Sequence, residues 1–126
     1  MLEVLTITRD DFAVAAHCEG SVITASLKGN ADHAAVELVE VLLDRIHSDA
    51  GVLAVTGAVI DLRQLEFMNS SCFRHFIGWI AAIQDLAEGG RYTVRFLSNP
   101  SYHWQRRSLQ SLRSFAVDLI TVVESR

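Results

Sequence analysis

One stretch constrains the fold more than any other: "VIDLRQLEFMNSSCFRHFIGWI", residues 59–80. An apolar extended run ends at Phe67-Met68, and a helical pattern begins after only a few residues. A β-strand that passes straight into a helix is the unit of layered α/β folds, in which the helix packs back on the sheet containing the strand. The four residues between them, Asn69, Ser70, Ser71 and Cys72, either cap the helix or display a hydroxyl for modification or recognition.

The rest of the chain reads as further units of this kind. "FAVAAHCEGSVITASLKG" predicts two short strands joined at Glu19-Gly20-Ser21. In the second, Thr24, Ser26 and Lys28 alternate with Ile23, Ala25 and Leu27, so one face is half exposed. "NADHAAVELVEVLLDRIHS" turns helical, with Asn30 or Asp32 as cap. Val36, Val39, Leu42, Leu43 and Ile46 form its apolar stripe, and Glu37, Glu40, Asp44 and His47 the polar one. "AVTGAVIDL" is almost continuously apolar, the mark of a strand covered on both faces. A helix from about Ser71 to Glu88 follows, closed by Gly89-Gly90 in a left-handed cap. "YTVRFL" gives another strand, "SNPSYHWQRRSLQSLR" a helix with Asn99 as cap and Pro100 at its first position, and "VDLITVV" a last strand. The order ββαβαβαβ predicts an α/β domain spanning residues 1–126. Its mixed, mostly parallel β-sheet has an N-terminal hairpin, and helices pack on it.

At 100° per residue, Phe73, Phe76, Ile77, Ile80, Ile83 and Ala87 share the sheet-facing side of the helix after Asn69. Ser71, Arg74, Gly78 and Asp85 point to solvent, with His75, Trp79 and Leu86 on the boundary. Trp79 there is either the edge of the core or an anchor for a partner, since Trp is enriched at binding hot spots. Gly78 on the outer face favours the second, because a bare backbone admits close approach at a cost in helix stability.

Composition excludes several classes. A net charge of −4 is wrong for a nucleic-acid binder. No apolar stretch approaches the ~20 residues needed to cross a bilayer, and "MLEVLTITRDDF" carries acids where a signal peptide starts basic. Cys18 and Cys72 are far apart and form no CxxC, so neither a disulfide nor a zinc framework is expected. These features predict a reduced cytoplasmic protein without metal or cofactor. Cys72 and His75, three apart, supply two ligands where zinc takes four, or three plus water. No oxyanion hole or orienting carboxylate accompanies them, so catalysis is not expected. His17, His33, His47, His75 and His103 are scattered, and Arg106, Arg107 and Arg113 beside Trp104 read as a solvated helix face. The helix start at Ser70 leaves one further reading open, a small anion or nucleotide held by its unpaired N–H groups.

"AVIDLRQLEFMNSSCFRHFIGWIAAI" resembles the core of the STAS domain, the family of anti-sigma-factor antagonists and sulphate-transporter C-terminal domains. That pattern is an apolar strand ending in Asp-Leu, a short stretch, then Asp-Ser-Ser-Gly-Leu opening a helix. Asp61-Leu62 and the seven-residue spacing from Leu62 to Asn69 match it. "LKGNAD" resembles the segment leading into the family's first helix, and "RYTVRFLSNPS" its later strand and loop. Asn69, Cys72 and Phe73 stand where the pattern has aspartate, glycine and leucine. The resemblance implies a STAS-like fold and a regulatory, non-enzymatic role. The partner it implies is a serine kinase that is also an anti-sigma factor, of the histidine-kinase-like ATPase type, with Ser70 as phospho-acceptor. The expected docking surface comprises Asn69, Ser70, Ser71, Cys72, Arg74, His75 and Gly78, with Gly29, Asn30 and Asp32 from the loop before the first helix. Self-association is compatible with it, as is a constitutive scaffold or subunit that docks without phosphorylation.

Overall fold

The structure is a computed structural model that describes residues 2–125, with side chains from residue 4. Six strands form one sheet in sequence order: β1 (Leu2–Arg9), β2 (Phe12–Glu19), β3 (Val22–Ala31), β4 (Gly57–Met68), β5 (Thr93–Ser98) and β6 (Ile120–Glu124). β1–β2 and β2–β3 are antiparallel; β3–β4, β4–β5 and β5–β6 are parallel. Helices α1 (Val36–Val52), α2 (Ser70–Gln84) and α3 (His103–Phe115) bridge the parallel pairs. The mixed, mostly parallel α/β sheet expected from the sequence is therefore present.

β1 lies outside the expected order. "EVLTITR" is rich in β-branched residues, Val4, Thr6, Ile7 and Thr8, and it extends the hairpin into a three-stranded antiparallel wing. The turn from β2 to β3 falls at the expected place, with Gly20 at φ +62°, where a side chain would be strained. Gly29, at φ +91°, serves a different purpose. A Cβ there would lie 1.9 Å from the Asp11 carbonyl oxygen, so only glycine lets the β1–β2 turn close over β3. Asn30 N–H donates to that carbonyl at 2.8 Å, and the Asn30 side-chain amide donates to the Asp11 carboxylate.

Successive crossovers step the same way along the sheet, and right-handed crossovers then put all three helices on one face. Burial agrees. Ala58, Ile60 and Leu62 of β4 are buried, whereas Gly57, Val59, Asp61 and Arg63 between them are half exposed. The expectation that this strand is covered on both faces is thus corrected. The core lies between sheet and helices and includes Leu27, Leu42, Ile46, Phe76, Ile80, Ile83, Phe96 and Leu112, all fully buried. Burial of each such side chain contributes about 1.5–3 kcal/mol. On the open face, Asp61 accepts from the Arg63 guanidinium at 2.9 and 2.8 Å, and this bond lowers its pKa from the usual 3.8.

Three helix ends differ from expectation. α1 begins at Val36, behind a short 3₁₀ turn, His33–Ala35, so neither Asn30 nor Asp32 caps α1 itself. α2 stops at Gln84, and Arg91 secures the turn beyond, donating from Nε to the Leu86 carbonyl at 3.0 Å and from Nη2 to the Gln84 carbonyl at 2.9 Å. Gly89-Gly90 belong to a separate 3₁₀ turn, Glu88–Gly90, and neither has positive φ. α3 begins at His103 and not at Pro100, because Asn99 caps a preceding turn through Ser101 N–H at 2.9 Å. No helix of the described residues is long and apolar enough to cross a membrane.

Candidate functional site

β4 ends at Met68, and Asn69 turns the chain into α2. The Asn69 side-chain oxygen accepts from Ser71 N–H at 2.7 Å, making Asn69, and neither serine, the N-cap. Ser70 occupies the first position of the helix and is exposed; Ser71 is half buried. The Ser70 hydroxyl therefore projects where unpaired N–H groups and the partial positive charge of the helix end collect.

The end of β3 and the turn before α1 lie against this point. Asn69 N–H donates to the Ala31 carbonyl at 2.7 Å. Asp32, exposed, caps the short 3₁₀ turn His33–Ala35 through Ala34 N–H at 3.0 Å. Gly29 and Asn30 belong to β3 and not to the loop before α1, which corrects the expected surface; Asn30 spends its side chain on Asp11 and Gly29 is fixed by packing, so of the three only Asp32 is exposed.

Cys72 corrects the expected surface. It is completely buried, its thiol directed at the Ala31 and Asp32 carbonyls at 3.8 and 3.7 Å. Burial, with the Asp32 charge adding to it, pushes the thiol pKa up from 9.0 to about 11. The side chain fills the seam between the end of β3 and α2, leaving nothing for a docked molecule to touch.

Farther along α2, Arg74 and Gly78 are exposed and His75 is half buried, as the helical projection indicated. All three line a cleft of about 230 Å³ between α1 and α2, whose other wall carries Glu40 and Asp44. His75 Nδ1 lies 3.8 Å from Glu40 Oε2 across it. Trp79 forms part of the floor and is only 4% exposed, which makes it core and not a partner anchor. Its indole N–H donates to the Tyr92 hydroxyl at 2.9 Å, and that oxygen lies 2.7 Å from His47 Nδ1. The Tyr92 pKa is raised from 10.0 to about 12, chiefly by burial.

The acidic wall of the cleft was missed because helical projection treats one helix at a time, whereas the cleft is a property of two. Phe67, three residues before Ser70 and 47% exposed, was missed for another reason. Strict alternation puts it on the same face as buried Leu65. The pairing with β3, however, jumps from Gly29↔Leu65 to Asn30↔Phe67, and the extra residue Glu66 turns Phe67 outward. Among the described residues no group of three or more His, Cys, Asp or Glu side chains could hold a metal ion.

No protein-family model matches the chain, and no curated protein matches it in sequence. Solved structures do match in shape. The crystal structure of an anti-sigma factor antagonist from Mycobacterium paratuberculosis is 14% identical, with a TM-score of 0.67 over 93% of this chain and 90% of that one. The anti-sigma factor antagonist SpoIIAA in its unphosphorylated form is 22% identical, with a TM-score of 0.58 over 88% of each chain. The Bacillus cell fate determinant SpoIIAA in the phosphorylated form is 20% identical, with a TM-score of 0.59 over 88% of this chain and 91% of that one. At these identities the likeness is one of backbone architecture. The chain has the fold of the anti-sigma-factor antagonists, the STAS fold.

Proposed function

We propose that this protein is a non-enzymatic, cytoplasmic regulator. It docks a protein partner through the start of α2 and the adjoining cleft, and phosphorylation of Ser70 switches the contact. The observation that carries the reading is the exposed Ser70 hydroxyl at the first turn of a helix. Support comes from the likeness to one protein, SpoIIAA, described in both an unphosphorylated and a phosphorylated form.

A phosphoryl group adds about −1.5 to −2 charges at neutral pH. The helix end accommodates it without unfolding, and Arg74, four residues on and on the same side of the helix, is within reach of it. A partner that fits the neutral surface then meets a doubly charged, strongly hydrated group at the centre of its contact, and desolvating that group opposes docking. The partner expected is a serine kinase with an ATPase domain of the histidine-kinase type, acting also as an anti-sigma factor.

Incubation with ATP and a purified serine kinase of this ATPase type that binds the protein, followed by mass spectrometry, should place one phosphate on Ser70. Ser70→Ala should bind the kinase without being labelled, and Ser70→Asp should bind at least ten-fold more weakly. Phosphate on another residue sinks the switch. Equal binding by the two variants establishes instead a constitutive scaffold on the same surface, a reading favoured by the uncharged Asn69 beside the acceptor.

A further inference from the structure

β4 outruns its neighbour. Its pairing with β5 ends at Asp61↔Leu97, yet the strand continues to Met68. On the other side it follows β3 as far as Ala31↔Met68, but through two irregularities, one where Leu62 and Arg63 together face Leu27 and one where Glu66 is an extra residue. Bulges of this kind leave backbone groups without ladder partners.

Four carbonyls of this overhang are taken up by side chains of the segment that starts α3. Gln105 is fully buried, and its Nε2 donates to the carbonyls of Leu62 at 2.6 Å and Leu65 at 2.9 Å. Its Oε1 accepts from Asn99 N–H at 2.8 Å, so both donors and the acceptor of this amide are engaged. Asn99 Nδ2 donates to the Arg63 carbonyl at 3.1 Å, and Trp104 Nε1 to the Glu66 carbonyl at 2.8 Å. Side chains of one helix start thus stand in for the strand that β5 does not supply. The last of these bonds falls four residues before Ser70.

We infer that Gln105 and Trp104 are positioning residues for the Ser70 junction: they hold the end of β4 and so set where α2 begins and where its first hydroxyl points. The functional consequence rests on the docking reading above; the positioning does not. Loosening the hold of either side chain lets the overhang sample other registers, and a hydroxyl on a wandering helix start is a poorer substrate and a poorer contact.

Amide hydrogen exchange on the whole protein tests the positioning directly. Trp104→Phe keeps a ring and loses the donor; Gln105→Met keeps length and bulk and loses three hydrogen bonds. Ile46→Val, in the core of α1, serves as the control for general destabilisation. Exchange over residues 66–71 should accelerate at least ten-fold in both variants, with the amides of α1 and β2 unchanged, and the control should spare 66–71. Ser70 labelling and partner affinity should fall with it. Unchanged protection over 66–71, or a rise spread evenly over the sheet, overturns the inference. So does full labelling and affinity in a variant whose junction has loosened. If Gln105→Met fails to fold, Trp104→Phe alone decides. Local acceleration in a protein whose wild-type form neither labels nor binds overturns the docking reading and leaves the positioning standing.

Discussion

Cys72 shows how far one buried side chain redefines a site. In the motif it resembles, glycine occupies this point, and a thiol there suggests a new feature for a partner to meet. The structure turns it inward against two carbonyls, so the outer surface keeps its shape. Thiolate is the reactive form, and burial holds Cys72 as a thiol up to about pH 11. A thiol-specific reagent such as DTNB at pH 8 should therefore label neither Cys72 nor Cys18, also buried, until the protein is unfolded; rapid labelling of the native protein contradicts this. The sign of the linkage is fixed. A group whose folded pKa is raised contributes stability below its unfolded value and loses it as pH climbs, here from 9.0 to about 11. Ser70 was legible from sequence because a strand–helix handover exposes whatever follows the cap. The inward turn of Cys72 was not, because it depends on where the end of β3 and the Asp32 turn fall.

At the scale of elements, two glycines named together in sequence have opposite meanings. Gly78 lies on the outer side of α2, and a methyl group added there would meet nothing within 4 Å, so Gly78→Ala should raise stability by about 1 kcal/mol through helix propensity alone. Gly29→Ala should destabilise by at least about 2 kcal/mol, since it combines left-handed backbone with a collision at the Asp11 carbonyl. Chemical denaturation of both variants checks the contrast; equal effects refute it. If the cleft receives a partner backbone, Gly78→Ala also weakens binding while strengthening the fold. The alternation of strand and helix periods made most elements readable. Their ends were less so: α2 is finished by Arg91, and β4 is extended by pairing with β3 and by donors from α3. Such partners lie outside the window in which periodicity is read. Phe67 escaped for the same reason, as one bulge reverses the parity of everything after it.

Over the whole molecule, Tyr92 joins three elements: Trp79 of α2 donates to its hydroxyl, His47 of α1 meets the same oxygen, and β5 starts one residue later. Tyr92→Phe leaves a buried indole N–H without an acceptor and should cost about 1–3 kcal/mol at neutral pH. It should also remove part of the alkaline loss of stability. The tyrosine contribution is full below pH 10 and disappears as pH rises toward about 12, so the gap between wild type and variant should narrow over that range. Melting temperatures measured across pH 7 to 11.5 follow it, and a gap independent of pH argues against this origin. The tie between Asn69 N–H and the Ala31 carbonyl has a different kind of consequence. It is made by main chain on both sides, so the spacing of the two segments is independent of what either one wears. Such a frame can be redecorated, asparagine for aspartate or cysteine for glycine, with its dimensions intact, and recognition can diverge without the scaffold having to follow.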